Sequence, residues 1–363
     1  MRYLIAVGIY PPEIGGPSTV IQELVKQLKE RGEQVTVVTY GEAREVSEVM
    51  NVPRTGGVVA RYSRFFLTVR KLLTPDTLVL ATDVFSVGIP VRLALVGKSN
   101  KMMLRLGGEW FWEDSVEKGR IFVPLKDFWR NDRGSWRRRF AKLNYGWQLK
   151  RAGKIAVTSE LLGGVLQSIC PQAAGKIQTV SNFVKPQACA AEAVTRPHTP
   201  LRLLYVGRFA RVKNVPFLAR TIKVLADGGN EVACTLAGDG PTIAETRKIL
   251  GQVRHTIFLG NVAHEKIAEL LGENDLLVLP SLTDICPNIV LEALACGVPV
   301  LMTKEHGLSP GLGGVIELPP TDQAAWMAAI RRISESDEYG RLRAQISLPD
   351  KPQLDLSELL TAL

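Results

Sequence analysis

Short apolar runs alternate along the chain with stretches in which apolar residues recur every three to four positions. Tyr3–Val7 is a continuous apolar run and predicts a buried strand. A Gly/Pro-rich loop, Pro11 to Pro17, follows it. Val20, Ile21, Leu24, Val25 and Leu28 then fall on one face of a helix, with Thr19 and Gln22 in capping-box spacing at its start. Arg31-Gly32 ends that helix, and Gln34–Thr39 predicts the next strand. Further strands are predicted at Thr77–Ala81, Lys101–Leu106 and Lys154–Thr158. After an Ala/Pro/Thr-rich stretch without period, the pattern restarts. It predicts a strand at Leu201–Val206, a helix over Val215–Leu225 and strands at Glu231–Ala237, Thr256–Leu259, Leu276–Leu279 and Pro299–Met302. Strands alternating with helices predict an α/β protein with parallel sheets. Two separate runs predict two Rossmann-like domains facing a central cleft. The expected division is 1–185, a linker at 186–200, a second domain at 201–347, and a terminal segment, 348–363, packing back on the first.

Length agrees with that division, because 363 residues suit two domains of ordinary size. Five cysteines lack C-x-x-C spacing and only four histidines are present. Those counts disfavour a disulfide framework or a metal centre and predict reduced thiols and a cytoplasmic chain. Tyr3 to Tyr10 is too short to cross a membrane, and no later run is long enough, so no transmembrane helix is expected.

Charge adds a second feature. The formal charge is +9, and between Lys118 and Lys154 twelve Lys/Arg face two Asp, a local +10. Trp129, Trp136, Phe140 and Trp147 are interleaved there. Basic residues with Trp and Phe on a predicted helix suit an anionic membrane surface, and a solvated face is the competing reading. No nucleic-acid module is present, so nucleic acid is not an expected partner.

Candidate chemistry concentrates in the second half. After the strand ending near Pro280, a loop carries Asp284 and a helix begins near Asn288 with Glu292 in its first turns. A helix start offers free N–H groups to phosphate or a sugar, and two carboxylates eight residues apart accept hydroxyls at separate points of one long ligand. At the earlier strand-to-helix turn, Gly207 permits close approach, Arg208 supplies a planar fork and Lys213 a point charge. Two cations there suit a diphosphate leaving group. In the first half, Gly15 and Gly16 place backbone N–H groups near a ligand.

The segment Asp284-Ile-Cys-Pro-Asn-Ile-Val-Leu-Glu292 resembles the acidic-x7-acidic signature of the family 4 retaining glycosyltransferases, which have the GT-B fold. This chain has Asp284 where the family usually has Glu. Gly207-Arg208…Lys213, Ala237-Gly-Asp-Gly-Pro241 and Leu259-Gly-Asn-Val262 resemble further elements of that family in the same order. The resemblance implies that Asp284 contacts the donor sugar and Glu292 the ribose. The backbone through Ile285, Cys286, Asn288 and Ile289 would cradle sugar and phosphates, with Arg208 and Lys213 on the diphosphate. Gly238 would sit at the second turn, and Asn261 and Val262 beside the base. Gly15 and Gly16 resemble the Gly-Gly loop that faces the donor phosphates. The stretch Leu104 to Asp114 resembles a Gly-Asp/Glu-x-x-Trp-Glu pattern and carries no His; Glu109 is its candidate for the acceptor side. The implied function is retaining transfer from a UDP- or GDP-linked sugar to a carbohydrate or lipid-linked acceptor. Neither metal nor other cofactor is implied, the nucleotide diphosphate sugar being a co-substrate. An epimerase on the same fold and a non-catalytic sugar-nucleotide or membrane-surface protein are the alternatives.

Overall fold

A computed structural model describes residues 1–11, 13, 16–42, 48–130, 135–180, 197–230, 232–309, 311–335, 337–348 and 360. The chain divides into two compact units. One comprises Met1–Glu109, Trp129–Asn182 and Pro352–Leu363; the other comprises Trp110–Phe128 and Phe183–Lys351. Residues 110–128 thus group with the second sheet, not with the 1–185 block that periodicity alone suggested.

The chain up to residue 180 contains β1 (Arg2–Val7), α1 (Gly16–Glu30), β2 (Gln34–Tyr40), β3 (Val49–Val52), α2 (Val58–Leu72), β4 (Thr77–Ala81), α3 (Gly88–Ala94), β5 (Met102–Leu106), α4 (Trp110–Glu117), α5 (Leu125–Arg130), α6 (Trp136–Arg151), β6 (Lys154–Val157), α7 (Glu160–Ile169) and β7 (Ile177–Thr179). Its strands form one sheet in the order β3-β2-β1-β4-β5-β6-β7. The pairing of β1 with β2 and β4 is parallel, Ile5 lying between Val37 and Leu80. β1 is buried from Tyr3 onward because α1 lays Ile21, Leu24 and Leu28 over it. Helix α1 begins at Gly16, so Thr19 lies inside the first turn instead of capping it. Leu360 is fully buried in the same core as Tyr3 and Ile5. The rest of 349–363, residues 181–185 and positions 186–196 of the expected linker lie outside the described residues.

The second sheet is built from β8 (Leu201–Val206), α8 (Val215–Asp227), β9 (Val232–Ala237), α9 (Ile243–Leu250), β10 (Thr256–Gly260), α10 (Ile267–Gly272), β11 (Leu276–Leu279), α11 (Asn288–Ala295), β12 (Val300–Thr303), β13 (Val315–Leu318), α12 (Gln323–Glu335) and α13 (Glu338–Ala344). Its order is β10-β9-β8-β11-β12-β13. The core is continuous, with Leu203, Leu277, Val278 and Leu301 in the sheet and Leu218, Ile222, Val290 and Ile330 on the helices over it. Trp326 is fully buried there, its indole N–H donating to the Pro319 carbonyl at 2.8 Å. Cys170, Cys234 and Cys286 are not disulfide-bonded. Cys296, at the end of α11, is disulfide-bonded, which departs from the expectation of reduced cysteines throughout.

The second sheet's order places the site. Strands β8, β9 and β10 run outward in one direction, and β11, β12 and β13 in the other. Loops leaving β8 and β11 therefore diverge to opposite faces and open a crevice at their carboxyl ends, where open α/β sheets bind ligands. The loop after β8 carries Arg208 and Lys213, and the loop after β11 carries Asp284.

Candidate functional site

The loops after β8, β9 and β10 are laced together by their backbones. Gly207 N–H donates to Ala237 O at 3.0 Å, Phe209 N–H to Asp239 O at 2.9 Å and Gly238 N–H to Gly260 O at 2.6 Å. Two of the glycines are required by that closeness. Gly238 has φ +125°, and a Cβ there would lie 2.0 Å from the Gly207 carbonyl oxygen. Gly240 has φ +149°, and its Cβ would lie 2.7 Å from the Phe209 oxygen. The ring of Tyr205 is buried beneath the β8 loop, and its hydroxyl donates to the Arg208 carbonyl at 2.9 Å. Arg208 is exposed, and its guanidinium makes no ion pair among the described residues.

Beyond Arg208 a single 3₁₀ turn, Arg211–Lys213, ends on Asn214 in the left-handed region (φ 55°) before α8 begins. Lys213 reaches across to the β11 loop, its Nζ lying 2.7 Å from Asp284 Oδ2. The same oxygen accepts from the Ser281 hydroxyl at 3.1 Å. Asp284 is buried, and its backbone is held on both sides: its N–H donates to Glu305 O at 2.8 Å and its carbonyl accepts from Gly307 N–H at 2.9 Å. The pair is asymmetric, the Asp284 side chain being 8% exposed and Lys213 28%. Lys213 thus keeps part of its side chain at the surface while Asp284 anchors its ammonium.

The remaining sequence-derived candidates fall into three groups. Cys286 and Asn288 flank the start of α11, the thiol donating to Asn288 Oδ1 at 3.3 Å. Ile285 is buried, so only its backbone is offered to a ligand, whereas Ile289 is half-buried. Glu292 is half-buried in α11; burial pushes its pKa up, and the nearby His264 opposes that shift. Asn261 is exposed and Val262 half-buried just past β10. In the other unit, Gly16 opens α1 and Gly15 lies outside the described residues. Glu109 is fully buried and receives the Tyr145 hydroxyl, so it lines no open surface.

Two acidic residues of the site are absent from the candidates read out of the sequence. Glu113 and Glu117 stand one turn apart on α4. Glu117 Oε2 accepts from Arg211 N–H at 3.2 Å and its Oε1 from Val212 N–H at 3.1 Å. Glu113, on the same face, feels the charges of Arg208, Lys213 and Asp284. Burial raises its pKa, and the two cations only partly offset that. The signal was present: the Glu-x-x-Trp-Glu run from Glu109 to Glu113 ends on Glu113, and Glu117 follows at helical spacing.

Residues 200–336 match the family model described as Glycosyl transferases group 1. Over 321 residues the chain is 26% identical to N-acetyl-alpha-D-glucosaminyl L-malate synthase of Bacillus anthracis, covering 85% of this chain and 80% of that relative. It is 37% identical over 110 residues to the putative teichuronic acid biosynthesis glycosyltransferase TuaC of Bacillus subtilis (strain 168), 30% of this chain and 26% of the relative. Among solved structures, the apo lipopolysaccharide outer core galactosyltransferase WaaB superposes with TM-score 0.66 at 15% identity, over 95% of this chain and 94% of that one. WaaG, a glycosyltransferase of lipopolysaccharide biosynthesis, superposes with TM-score 0.66 at 16% identity, over 94% and 93%. The solved structures share the fold, so the chain has the GT-B architecture of two parallel-sheet α/β domains, and the match to Glycosyl transferases group 1 falls on the half that holds the Arg208, Lys213 and Asp284 cluster.

Proposed function

We propose that the chain transfers a glycosyl group, with retention of configuration, from a UDP- or GDP-linked sugar to a carbohydrate or lipid-linked acceptor. The observation that carries this reading is the Lys213–Asp284 pair, 2.7 Å apart at the switch point of the second sheet, with the exposed Arg208, which makes no ion pair among the described residues, on the same loop as the lysine. As the bond from the anomeric carbon to the diphosphate breaks, negative charge grows on the leaving phosphate. Arg208 meets two of its oxygens through its fork and Lys213 adds a preoriented point charge. Asp284 keeps the ammonium in place and offers its second carboxylate oxygen to a sugar hydroxyl. Glu292 takes the ribose hydroxyls. Attack from the face of departure retains configuration, and the leaving phosphate accepts the acceptor's proton. In this reading the cationic side chains Arg208 and Lys213 are the source of stabilisation. Incubation with a panel of UDP- and GDP-sugars, with soluble and lipid-linked acceptors and EDTA present, tests this. Nucleotide release and a product of unchanged anomeric configuration are expected. An inverted product, a requirement for added metal, or an epimerised sugar nucleotide without transfer would each overturn it.

A second part of the reading concerns α6. Trp136, Phe140 and Leu143 recur at helical spacing and are 76%, 59% and 73% exposed. The exposed Arg137, Arg139 and Lys150 share that helix. We propose that this face, not the whole of 118–154, docks on anionic lipid. The other candidate aromatics are committed elsewhere: Trp129 is buried against Tyr145, and Arg92 covers Trp147 at 4.6 Å. Lys126 is ion-paired with Glu305, and Arg120 with Asp114. No described helix is long and apolar enough to cross a membrane. Co-sedimentation is expected with anionic but not neutral vesicles and should fade with salt, since screening acts over roughly 8 Å at physiological ionic strength. Unchanged binding by the triple variant Trp136→Glu, Phe140→Glu, Leu143→Glu would rule the face out.

A further inference from the structure

The stretch Trp110–Phe128, between β5 and α6, belongs to the second unit and touches both loops of its site. At the β8 loop, the Glu117 carboxylate accepts the N–H groups of Arg211 and Val212. At the β11 loop, Leu125 N–H donates to Thr283 Oγ1 at 2.9 Å. Lys126 Nζ lies 2.8 Å from the Glu305 carboxylate, and the backbone of that same Glu305 carries the Asp284 N–H. The strap therefore joins the two halves of the crevice through side chains that take no part in the chemistry proposed above.

The Glu117 contact is the informative one. A 3₁₀ turn leaves its first N–H groups without partners inside the turn, and here the turn follows Arg208 and ends on Lys213, the two cations of the site. A carboxylate accepting both groups is a pair of charge-assisted bonds to the backbone, stronger than neutral ones and demanding in geometry. Farther along, Asn214 is pinned by donating its side-chain N–H to the Pro320 carbonyl at 2.9 Å, and Val212 O accepts from Leu282 N–H at 2.9 Å. Glu117 is the fixture at the front of the turn. Without it, the backbone between Arg208 and Lys213 keeps its rear tethers and loses its front one.

We propose that Glu117 is a positioning residue for the donor diphosphate, holding the Arg211–Lys213 turn so that Arg208 and Lys213 converge on the phosphates. The proposal rests on the nucleotide-sugar reading above. If Glu117 sets the cation geometry, its loss weakens ligands in proportion to their phosphates. A residue that merely stabilises the fold weakens nucleoside and nucleoside diphosphate alike.

The experiment compares Glu117→Ala and Glu117→Gln with the wild-type chain. Affinities for UDP, GDP, uridine and guanosine are measured by calorimetry, and amide exchange over 208–214 without ligand. Wild type binding neither UDP nor GDP defeats the nucleotide reading itself, separately from the role of Glu117. Given a diphosphate that binds, Glu117→Ala is expected to weaken it about tenfold, the scale of one lost charge-assisted hydrogen bond, with nucleoside affinity unchanged. Glu117→Gln keeps one side-chain acceptor in place of two and should fall between. Exchange at Arg211 and Val212 should accelerate in both variants. Equal loss for nucleoside and diphosphate, unchanged exchange, or tighter diphosphate binding would overturn the proposal; the last would mean that Glu117 competes with phosphate for the same N–H groups. If Glu117→Ala does not fold, Glu117→Gln decides alone.

Discussion

Lys213→Ala is expected to lower kcat/KM by about a hundred- to a thousandfold, the usual consequence of removing one preorganised group that meets developing charge. Affinity for the free nucleoside diphosphate should fall less, by about tenfold, because the ammonium interacts most strongly when the leaving phosphate carries its full charge. The substitution also leaves Asp284 buried with Ser281 as its remaining side-chain partner. An uncompensated carboxylate there costs stability, by about 1–3 kcal/mol given that Lys213 is partly exposed. The two effects separate in the double variant Lys213→Ala, Asp284→Asn. A neutral amide removes the stranded charge and should recover much of the lost stability, while turnover stays low. Steady-state kinetics and urea unfolding of the three proteins make the comparison. Recovery of turnover in the double variant would show that Lys213 serves only to neutralise Asp284 and would sink its role on the diphosphate.

The second large effect is structural. Gly238→Ala is expected to destabilise the second unit by about 2–6 kcal/mol, combining backbone strain with forced overpacking. At φ +125° an L residue is strained, and the added Cβ would meet the Gly207 backbone, its oxygen at 2.0 Å and its carbonyl carbon at 2.9 Å, with no flexible side-chain end to move. Because Gly207 opens the loop that carries Arg208, whatever stability survives should come with weakened nucleotide binding. Gly272→Ala is the control: nothing lies within 4 Å of its Cβ position, and no change beyond about 0.5 kcal/mol is expected. Equal unfolding curves for the two variants would mean that the loops after β8 and β9 are not tied as tightly as their backbone bonds indicate.

Much of the architecture could be read from the chain, and the reason is periodicity. Thr77–Ala81, Leu201–Val206 and Leu276–Leu279 are strands at the expected bounds because central parallel strands are buried on both faces and read as unbroken apolar runs. Three of the four edge strands, Val49–Val52, Ile177–Thr179 and Val315–Leu318, were not expected, whereas the fourth, Thr256–Gly260, was. Each of the three has one neighbour and is largely half-buried, so its composition carries little signal. Local loop chemistry was equally readable. Gly238 and Gly240 stand where the backbone needs positive φ, and Arg208, Lys213 and Asp284 occupy the turns predicted for them.

Pairing was decided by the tertiary structure. That Lys213 meets Asp284, 71 residues later, follows from β8 and β11 being neighbours in the sheet, a fact set by the strand order and not by either loop's sequence. The same applies to Glu109 and Glu113. Both are acidic residues beside Trp in one short stretch, yet one is sealed against Tyr145 and the other faces the cations. Hydrophobic period tells which residues a helix buries, but not which neighbour it buries them against. The grouping of 110–128 with the second sheet, and with it Glu117 on the Arg211–Lys213 turn, is such a choice of neighbour. It depends on long-range packing that no local pattern encodes.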